Sequence, residues 1–279
     1  MQKFIRNVGR YMRQSWRLVV PLKRVGILLG GLLFVVAAYY IAINNLRTDK
    51  HVLISLLLLW VVTSYILLPR IHRFLSRIYV PDYFIGRART ADGLLADPVN
   101  LALRGTEKTL LKTMRKAGWD LADPITIKTA LTTIRATLLK RSYENAPVSD
   151  LYVFGKKQDL AFQKEVDGNP AKRHHVRFWR IPKDIYLPGG HNVDWVAAAT
   201  YDDAVGLSRF TLQITHSIDG DVDAERDFVV QTIKRVHRTK QVQKIEGFFP
   251  KYSHRNGGGD AFFTDGSMVV VDLKKGLLR

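Results

Sequence analysis

The sequence predicts an α+β protein in which a two-helix transmembrane hairpin precedes a soluble α+β domain with a mostly antiparallel sheet. Two long apolar runs lie within the first 70 residues, and the spacing of apolar residues changes from helical to alternating after Pro147. Hydrophobic residues make up 47% of the 279 residues, which excludes a disordered chain. The chain has no cysteine, which excludes disulfides and thiolate chemistry.

Positive charge is concentrated near the apolar runs. The chain has 43 Lys and Arg residues against 25 Asp and Glu, a net charge of +18, and residues 1–89 contain 14 basic and 2 acidic side chains. A nucleic-acid-binding domain would spread its basic excess more evenly, so no nucleic acid is expected as a partner. The distribution indicates a membrane surface instead.

The two apolar runs have the length of membrane spans. Val25 to Ile43 has 19 uncharged residues, and Val52 to Leu68 has 17 and is ended by Pro69. At 1.5 Å per residue each run covers roughly 25–29 Å, close to the hydrocarbon thickness. A signal peptide followed by a buried helix is the alternative, but the first run is long and the second follows closely. We therefore predict a transmembrane hairpin over residues 25–68.

The flanking charges predict the orientation of this hairpin. Seven basic residues precede the first run, two lie between the runs, and five follow over residues 70–89. The positive-inside rule then places both termini and the C-terminal domain in the cytoplasm of a multi-pass cell-membrane protein. Gly26 and Gly30 have the spacing of a small-residue helix contact, which would allow a homodimer.

Residues 1–24 form a basic amphipathic segment. Apolar side chains recur there every three or four residues, and four arginines follow the same rhythm on another face. These membrane-surface candidates are Arg6, Arg10, Arg13 and Arg17. A helix of this kind lies in the bilayer interface against anionic headgroups, although the arginines could instead serve only to set the topology. Residues 69–96 are predicted to be a basic juxtamembrane linker.

The soluble domain is predicted over residues 97–279. Thr106 can cap one helix that stops at Gly118, and Asp123–Pro124 can open a second. After Pro147 the alternation predicts strands, followed by one further helix over 222–238 and two closing strands. The predicted strands are 151–154, 160–163, 173–180, 195–201, 209–218, 242–249 and 268–273.

The most unusual motif is Arg173-His174-His175-Val176-Arg177-Phe178-Trp179. On a strand, Arg173, His175 and Arg177 share one face, whereas His174 faces the core. Two forked guanidinium groups beside an imidazole suit a phosphate or a carboxylate. The alternative is a solvated basic strand that is paired to acidic neighbours.

A second cluster follows at 215–227, where His216 precedes several carboxylates, among them Asp223 and Glu225. The spacing fails as a calcium loop, because Ala224 stands where that loop needs glycine. The acidic residues fit the start of a helix, capped by Asp221 or Asp223. Alternatively, His216 and the carboxylates form a metal or acid–base cluster.

The remaining motifs are weaker. The glycine-rich segment Asn256–Asp260 is predicted to be a turn, because no Lys-Ser/Thr pair or helix follows it. No Gly-x-Ser-x-Gly, His-Glu-x-x-His or dinucleotide-binding motif is present. The reaction classes that have these short motifs are therefore unsupported.

Four of these segments together resemble the LssY-like C-terminal domain of bacterial membrane proteins. They are Gln158–Gln163, Arg173–Trp179, Ala199–Asp202 and Asp223–Asp227, within a similarity that covers roughly residues 97–270. The resemblance implies membrane anchoring, and some relatives are joined to DedA-type or type-2 phosphatidic acid phosphatase modules. This chain has neither those additional spans nor a phosphatase motif of its own. The resemblance thus implies a location and a lipid-phosphate context rather than a reaction.

The sequence is compatible with two functions. The first is a membrane-bound hydrolase of phosphorylated or lipid-linked envelope substrates: Arg173 and Arg177 hold the anion, His175 or His216 transfers protons, and Asp202, Asp223 or Glu225 orients them or holds a divalent cation. The second is a non-catalytic, membrane-anchored binding or scaffold domain that docks anionic headgroups or an acidic protein. We expect Arg173, His175, Arg177, His216 and Asp202 to face one pocket if the first is right.

Overall fold

The computed structural model describes residues 32–48, 51–79, 84–124, 147–166, 169–182, 185–236 and 242–274, with residues 126, 129, 132 and 145 between these ranges. The chain divides into two compact units, residues 1–69 and 70–279. The helices are α1 (Leu32–Arg47), α2 (Val52–Val62), α3 (Leu68–Tyr79), α4 (Glu107–Lys116) and α5 (Val222–Val236). The predicted interfacial segment 1–24 and the Gly26/Gly30 contact lie outside the described residues.

The first unit contains two apolar helices. Within the described residues, the helical stretch Val52–Ser76 is the one long and apolar enough to cross a membrane, and α1 is shorter. Residues 25–31 of the first predicted span lie outside the described residues. The hydroxyl groups of Tyr39 and Thr63 are hydrogen-bonded, so α1 contacts the second helix.

Pro69 does not end the second helix, contrary to the sequence prediction. A π-helical turn, Thr63–Leu67, joins α2 to α3, and α3 continues through Pro69 to Tyr79. Proline lacks an N–H group and its ring clashes with the carbonyl four residues earlier, here that of Tyr65. A widened turn just before the proline relieves this clash, which is how the helix continues.

The second unit is an α+β domain with mostly antiparallel sheets. Its large sheet has the order β11-β14-β3-β9-β8-β7-β4, and β10 pairs with the C-terminal half of β9. All its pairs are antiparallel except β14 with β3. A smaller sheet has the order β2-β1-β5-β6, and β12 pairs with β13. The strands are β1 (Arg87–Thr90), β2 (Leu95–Pro98), β3 (Leu101–Arg104), β4 (Asp120–Leu121), β5 (Leu151–Val153), β6 (Lys156–Lys157), β7 (Leu160–Val166), β8 (Asn169–Arg180), β9 (Trp195–Leu207), β10 (Ile214–Ile218), β11 (Val242–Ile245), β12 (Tyr252–Arg255), β13 (Ala261–Thr264) and β14 (Met268–Asp272).

The two faces of the large sheet have separate cores. Helices α4 and α5 cover one face, where Leu110, Trp119 and Ile233 are buried. The small sheet covers the opposite face and buries residues such as Leu151 and Ala198. The two layers explain the burial of β8 on both sides, because alternate residues of that strand point to opposite cores.

The local signals for helix ends are confirmed. The side chain of Thr106 accepts a hydrogen bond from the backbone N–H of Thr109, and Gly118 has a positive φ of 77° after α4. Asp221 accepts from the backbone N–H of Ala224 at the start of α5. The second helix, predicted after Asp123–Pro124, lies almost wholly outside the described residues.

Several predicted strands differ from the observed ones. Strands β1 to β3 precede α4, and β1 lies within the segment 69–96 that the sequence predicts to be a linker. The hairpin β12–β13 was not predicted either, and β10 begins at Ile214 rather than at Arg209. These strands have four or five residues each, so they show little alternation. In addition, β1 pairs with β5, and β3 pairs with β9 and β14, which are distant in sequence.

Candidate functional site

The Arg-His-Arg face of β8 lines a cavity. Arg173, His175 and Arg177 point to the same side of the strand and border a volume of about 450 Å³. Asp202 on β9 and His216 on β10 line the same cavity. The structure therefore brings together all five residues that the sequence analysis expected to face one pocket.

Strand register explains why space is left between these side chains. On β9, Asp202 lies opposite Arg173, Thr200 lies opposite His175, and Ala198 lies opposite Arg177. The residues that face His175 and Arg177 are thus small, and long side chains from the two strands do not fill the same volume. β10 pairs with the far end of β9, where Ile218 lies opposite Asp202, and the His216 side chain reaches to within 3.7 Å of Asp202.

Both imidazoles approach the same oxygen of Asp202. His175 Nε2 lies 2.8 Å from Asp202 Oδ2, and His216 Nδ1 lies 3.7 Å from it. The side chains of His175 and Asp202 are 7% and 10% exposed, whereas that of His216 is 35% exposed. His216 is thus the histidine that is most accessible to a substrate, and Asp202 connects it to the more deeply buried His175.

The electrostatics of Asp202 and His216 favour acid–base chemistry. Burial alone would raise the pKa of Asp202, but His175, His216 and Arg177 together hold that pKa below its ordinary value. Burial lowers the pKa of His216, which His175 and Arg173 reinforce and Asp202 opposes. The result is an ionised carboxylate beside a neutral imidazole at neutral pH, which is the state that a general base requires.

The two arginines are buried and paired rather than solvated. Arg173 Nη2 lies 3.1 Å from Glu165 Oε1, and Arg177 Nη1 lies 3.2 Å from Asp97 Oδ2. Burial raises the pKa of Asp97, although Arg177 opposes this effect. The strand is therefore not solvated at these arginines, although both of them have the acidic partners that the alternative interpretation expected.

Several nitrogen atoms at the cavity lack hydrogen-bond partners. Among the described residues, neither ring nitrogen of His175 has a well-aligned hydrogen bond, so its 2.8 Å contact with Asp202 is close but poorly directed. His216 Nδ1 and Arg173 Nε are also buried without a partner there. Buried polar atoms are almost always satisfied in folded proteins, so these nitrogen atoms are the ones that a group bound in the cavity would contact.

Other lining residues were missed by the sequence analysis. Asp97 comes from β2, and Ser208, Thr211 and Gln213 come from the loop between β9 and β10. The glycine-rich segment forms the predicted turn, in which Asn256 Oδ1 accepts from the backbone N–H groups of Gly258 and Asp260. This turn also borders the cavity through residues 256–258. Its glycines signalled a turn, but no sequence signal placed that turn near β8.

Glu225 does not line the cavity, contrary to its assignment as a candidate catalytic residue. It lies on α5, against the opposite face of the sheet, where its Oε2 is 2.8 Å from His174 Nδ1. The His174 ring stacks on Phe228 with a centroid distance of 4.0 Å, as expected for a core histidine. Burial raises the pKa of Glu225, an effect that His174 opposes. The physical reason is strand alternation, because His174 and His175 point to opposite faces.

Asp223 is also absent from the cavity lining. Its carboxylate is buried at the start of α5 and accepts hydrogen bonds from Asn100, Arg226 and Thr264 and from the backbone N–H of Asp265. These contacts hold the helix against the loop after β13. Asp223 is therefore a structural residue, because all its contacts are to protein groups outside the site.

No group of three or more His, Asp or Glu side chains within the described ranges has an arrangement that could hold a metal ion. In the candidate site, both imidazoles contact the Asp202 carboxylate directly. The donor set there suits proton transfer.

A family model described as LssY C-terminus matches residues 77–268. The chain belongs to the LssY C-terminal family. The match includes β8, β9 and β10 and therefore every strand that contributes an Arg, His or Asp side chain to the centre of the site. Neither a curated protein nor a solved structure matches the chain.

Proposed function

We propose that this LssY C-terminal family protein is a hydrolase of phosphate esters, acting on phosphorylated or lipid-linked envelope substrates. One observation carries the proposal: Asp202 contacts two histidines inside a cavity that is flanked by two buried arginines. Guanidinium groups bind phosphate oxygens through paired donors, and a carboxylate–imidazole pair moves protons. Hydrolysis of a phosphate ester requires both the anion-binding arginines and the proton-transferring carboxylate–imidazole group.

Arg173 and Arg177 hold the phosphoryl group in this proposal. An arriving phosphate competes with Glu165 and Asp97 for the two guanidinium groups. Burial raises the pKa of Asp97, which favours proton uptake by that carboxyl when the phosphate displaces it from Arg177. The unsatisfied Arg173 Nε adds a further donor.

His216 acts as the general base. Its Nδ1 faces Asp202, so Nε2 takes a proton from water as the water oxygen bonds to phosphorus. The bond between phosphorus and the ester oxygen breaks, and that oxygen takes a proton from His175. The products are an alcohol and inorganic phosphate, and solvent returns the proton from His216 to His175. Asp202 stabilises whichever imidazole is protonated.

A non-catalytic binding domain is the second candidate. It is favoured by the existing ion pairs of both arginines, which could be purely structural partners. In that case the cavity would bind an anionic headgroup or an acidic protein without turnover.

The two candidates differ in phosphate release by the full-length protein in proteoliposomes, assayed with p-nitrophenyl phosphate and with phosphatidic acid. We expect the wild type to release phosphate. In H216N the rate of release should be about a hundredfold or more lower, whereas phosphate should still protect this variant against thermal unfolding. His191 lies outside the cavity lining, so H191N serves as the matched control and should resemble the wild type. Protection without release in the wild type would overturn the hydrolase and support the binding domain.

The membrane arrangement is a second proposal, because within the described residues one helix is long and apolar enough to cross a membrane. We propose a two-pass protein of the cell membrane with both termini in the cytoplasm, with residues 1–24 on anionic headgroups and with Gly26 and Gly30 in a homodimer contact. The support is the distribution of seven, two and five basic residues around the apolar runs.

A further inference from the structure

The loop between β9 and β10 exposes apolar side chains beside the cavity. Ser208, Thr211 and Gln213 line the cavity, whereas Phe210 and Leu212 are 38% and 42% exposed. The Ser208 hydroxyl accepts hydrogen bonds from the backbone N–H groups of Phe210 and Thr211, which fixes the loop. The exposed Arg209 adds positive charge next to Phe210. The loop is thus an ordered apolar and basic tip at the wall of the site.

Helix α3 contributes a second exposed apolar surface. Ile71, Phe74 and Leu75 recur at helical spacing and are 42%, 65% and 41% exposed. The side chains of Arg70 and Arg73 lie among them. Because α3 continues the apolar helix Val52–Ser76, its apolar and basic surface has the composition of a helix at a bilayer interface.

Helix α3 contacts the cavity wall directly. Arg73 Nη2 lies 3.6 Å from Asp92 Oδ1, and a Cβ atom at Gly93 would lie only 2.7 Å from Ser76 Cβ. The turn that contains Asp92 and Gly93 joins β1 to β2, and Ala91 and Asp92 line the cavity. The helix that leaves the apolar stretch is therefore packed on the rim of the site.

We propose that the cavity opens at the bilayer surface, with α3 and the loop 208–213 both in contact with lipid, and that the substrate is a membrane lipid with a phosphate-ester headgroup. The choice of substrate rests on the proposed hydrolase, but the docking surface does not. Exposed apolar groups on two elements that border one cavity would be unfavourable in water and are stabilised by insertion among acyl chains. The headgroup can then enter the cavity while its chains remain in the membrane.

The docking surface is tested with site-directed spin labels, which the natural absence of cysteine makes specific. F74C, F210C and F263C are labelled one at a time in the full chain, reconstituted in vesicles of phosphatidylcholine and phosphatidylglycerol. Phe263 is 50% exposed but does not line the cavity, so F263C is the matched control. We expect the labels at 74 and 210 to be more accessible to oxygen than to an aqueous nickel chelate, and the label at 263 to show the reverse. A label at 210 that is as accessible to the chelate as the one at 263 would overturn the docking surface.

The substrate is tested separately with F210S and the control F263S. F210S should lower phosphate release from phosphatidic acid in vesicles several-fold and leave release from p-nitrophenyl phosphate unchanged, whereas F263S should change neither. Equal losses on both substrates would overturn the lipid substrate. If the label at position 210 inserts into lipid but the wild type releases phosphate from neither ester, the docking surface is supported and the hydrolase is overturned. Failure of the docking surface and failure of the hydrolase can therefore be told apart.

Discussion

Asp221 and Asp223, two residues apart at the start of α5, have different structural roles. Asp221 caps the helix through one backbone N–H group, whereas Asp223 accepts four hydrogen bonds. One of these is from Arg226, whose side chain is 1% exposed and which also pairs with Asp227 and Asp265. An N-cap contributes about 1 kcal/mol, while removal of one partner from a buried ion pair costs about 3 kcal/mol or more.

These roles give a prediction for the free energy of unfolding. D223A should destabilise the full chain by about 3 kcal/mol, and D221A should cost about 1 kcal/mol, as measured by denaturant unfolding followed through the fluorescence of the buried tryptophans. Equal small losses in both variants would contradict the structural role of Asp223. Loss of phosphate release in D223A without loss of stability would instead indicate that Asp223 has a catalytic role.

At the scale of single residues, the centre of the site could be predicted and its surroundings could not. Alternation along β8 places Arg173, His175 and Arg177 on one face whatever the rest of the fold. Asp202 and His216 follow because β9 and β10 are consecutive antiparallel strands. Asp97 and Glu165 could not be assigned, because their pairing with the arginines depends on the packing of the small sheet and on the register of β7.

At the scale of elements, local chemistry predicted helix ends and the long strands. Thr106, Gly118 and Asp221 act through neighbouring backbone groups, so their effect is visible in sequence. The strands β1 to β3 and the hairpin β12–β13 were missed because about four residues show little alternation, and β1 and β3 depend in addition on partners that are distant in sequence. Pro69 was misjudged for a related reason: the compensating π-helical turn at Thr63–Leu67 has no distinctive residue.

At the scale of the whole molecule, charge asymmetry predicts topology. The basic residues around the apolar runs favour a cytoplasmic C-terminal domain. A reporter that is active only outside the cytoplasm should therefore be silent when fused after Arg279, and a cytoplasmic reporter at the same position should be active. A strong signal from a stable fusion of the first kind would reverse the orientation and with it the side of the membrane on which the substrate is bound.

The pH dependence of phosphate release by the wild type, D202N and D203N tests whether Asp202 and His216 carry out hydrolysis together. Asp203 is exposed and adjacent to Asp202, so D203N is the matched control. Asp202 stays ionised at and above neutral pH because its pKa is held below the ordinary value, and its stabilising contribution is lost only as pH falls through that lowered pKa. Because burial lowers the pKa of His216, the wild-type rate should fall with decreasing pH at a midpoint below about 6.5.

We expect the rate to be about a hundredfold or more lower in D202N at every pH, and D203N to be indistinguishable from the wild type. Undiminished phosphate release by D202N would contradict a joint role of Asp202 and His216 in hydrolysis.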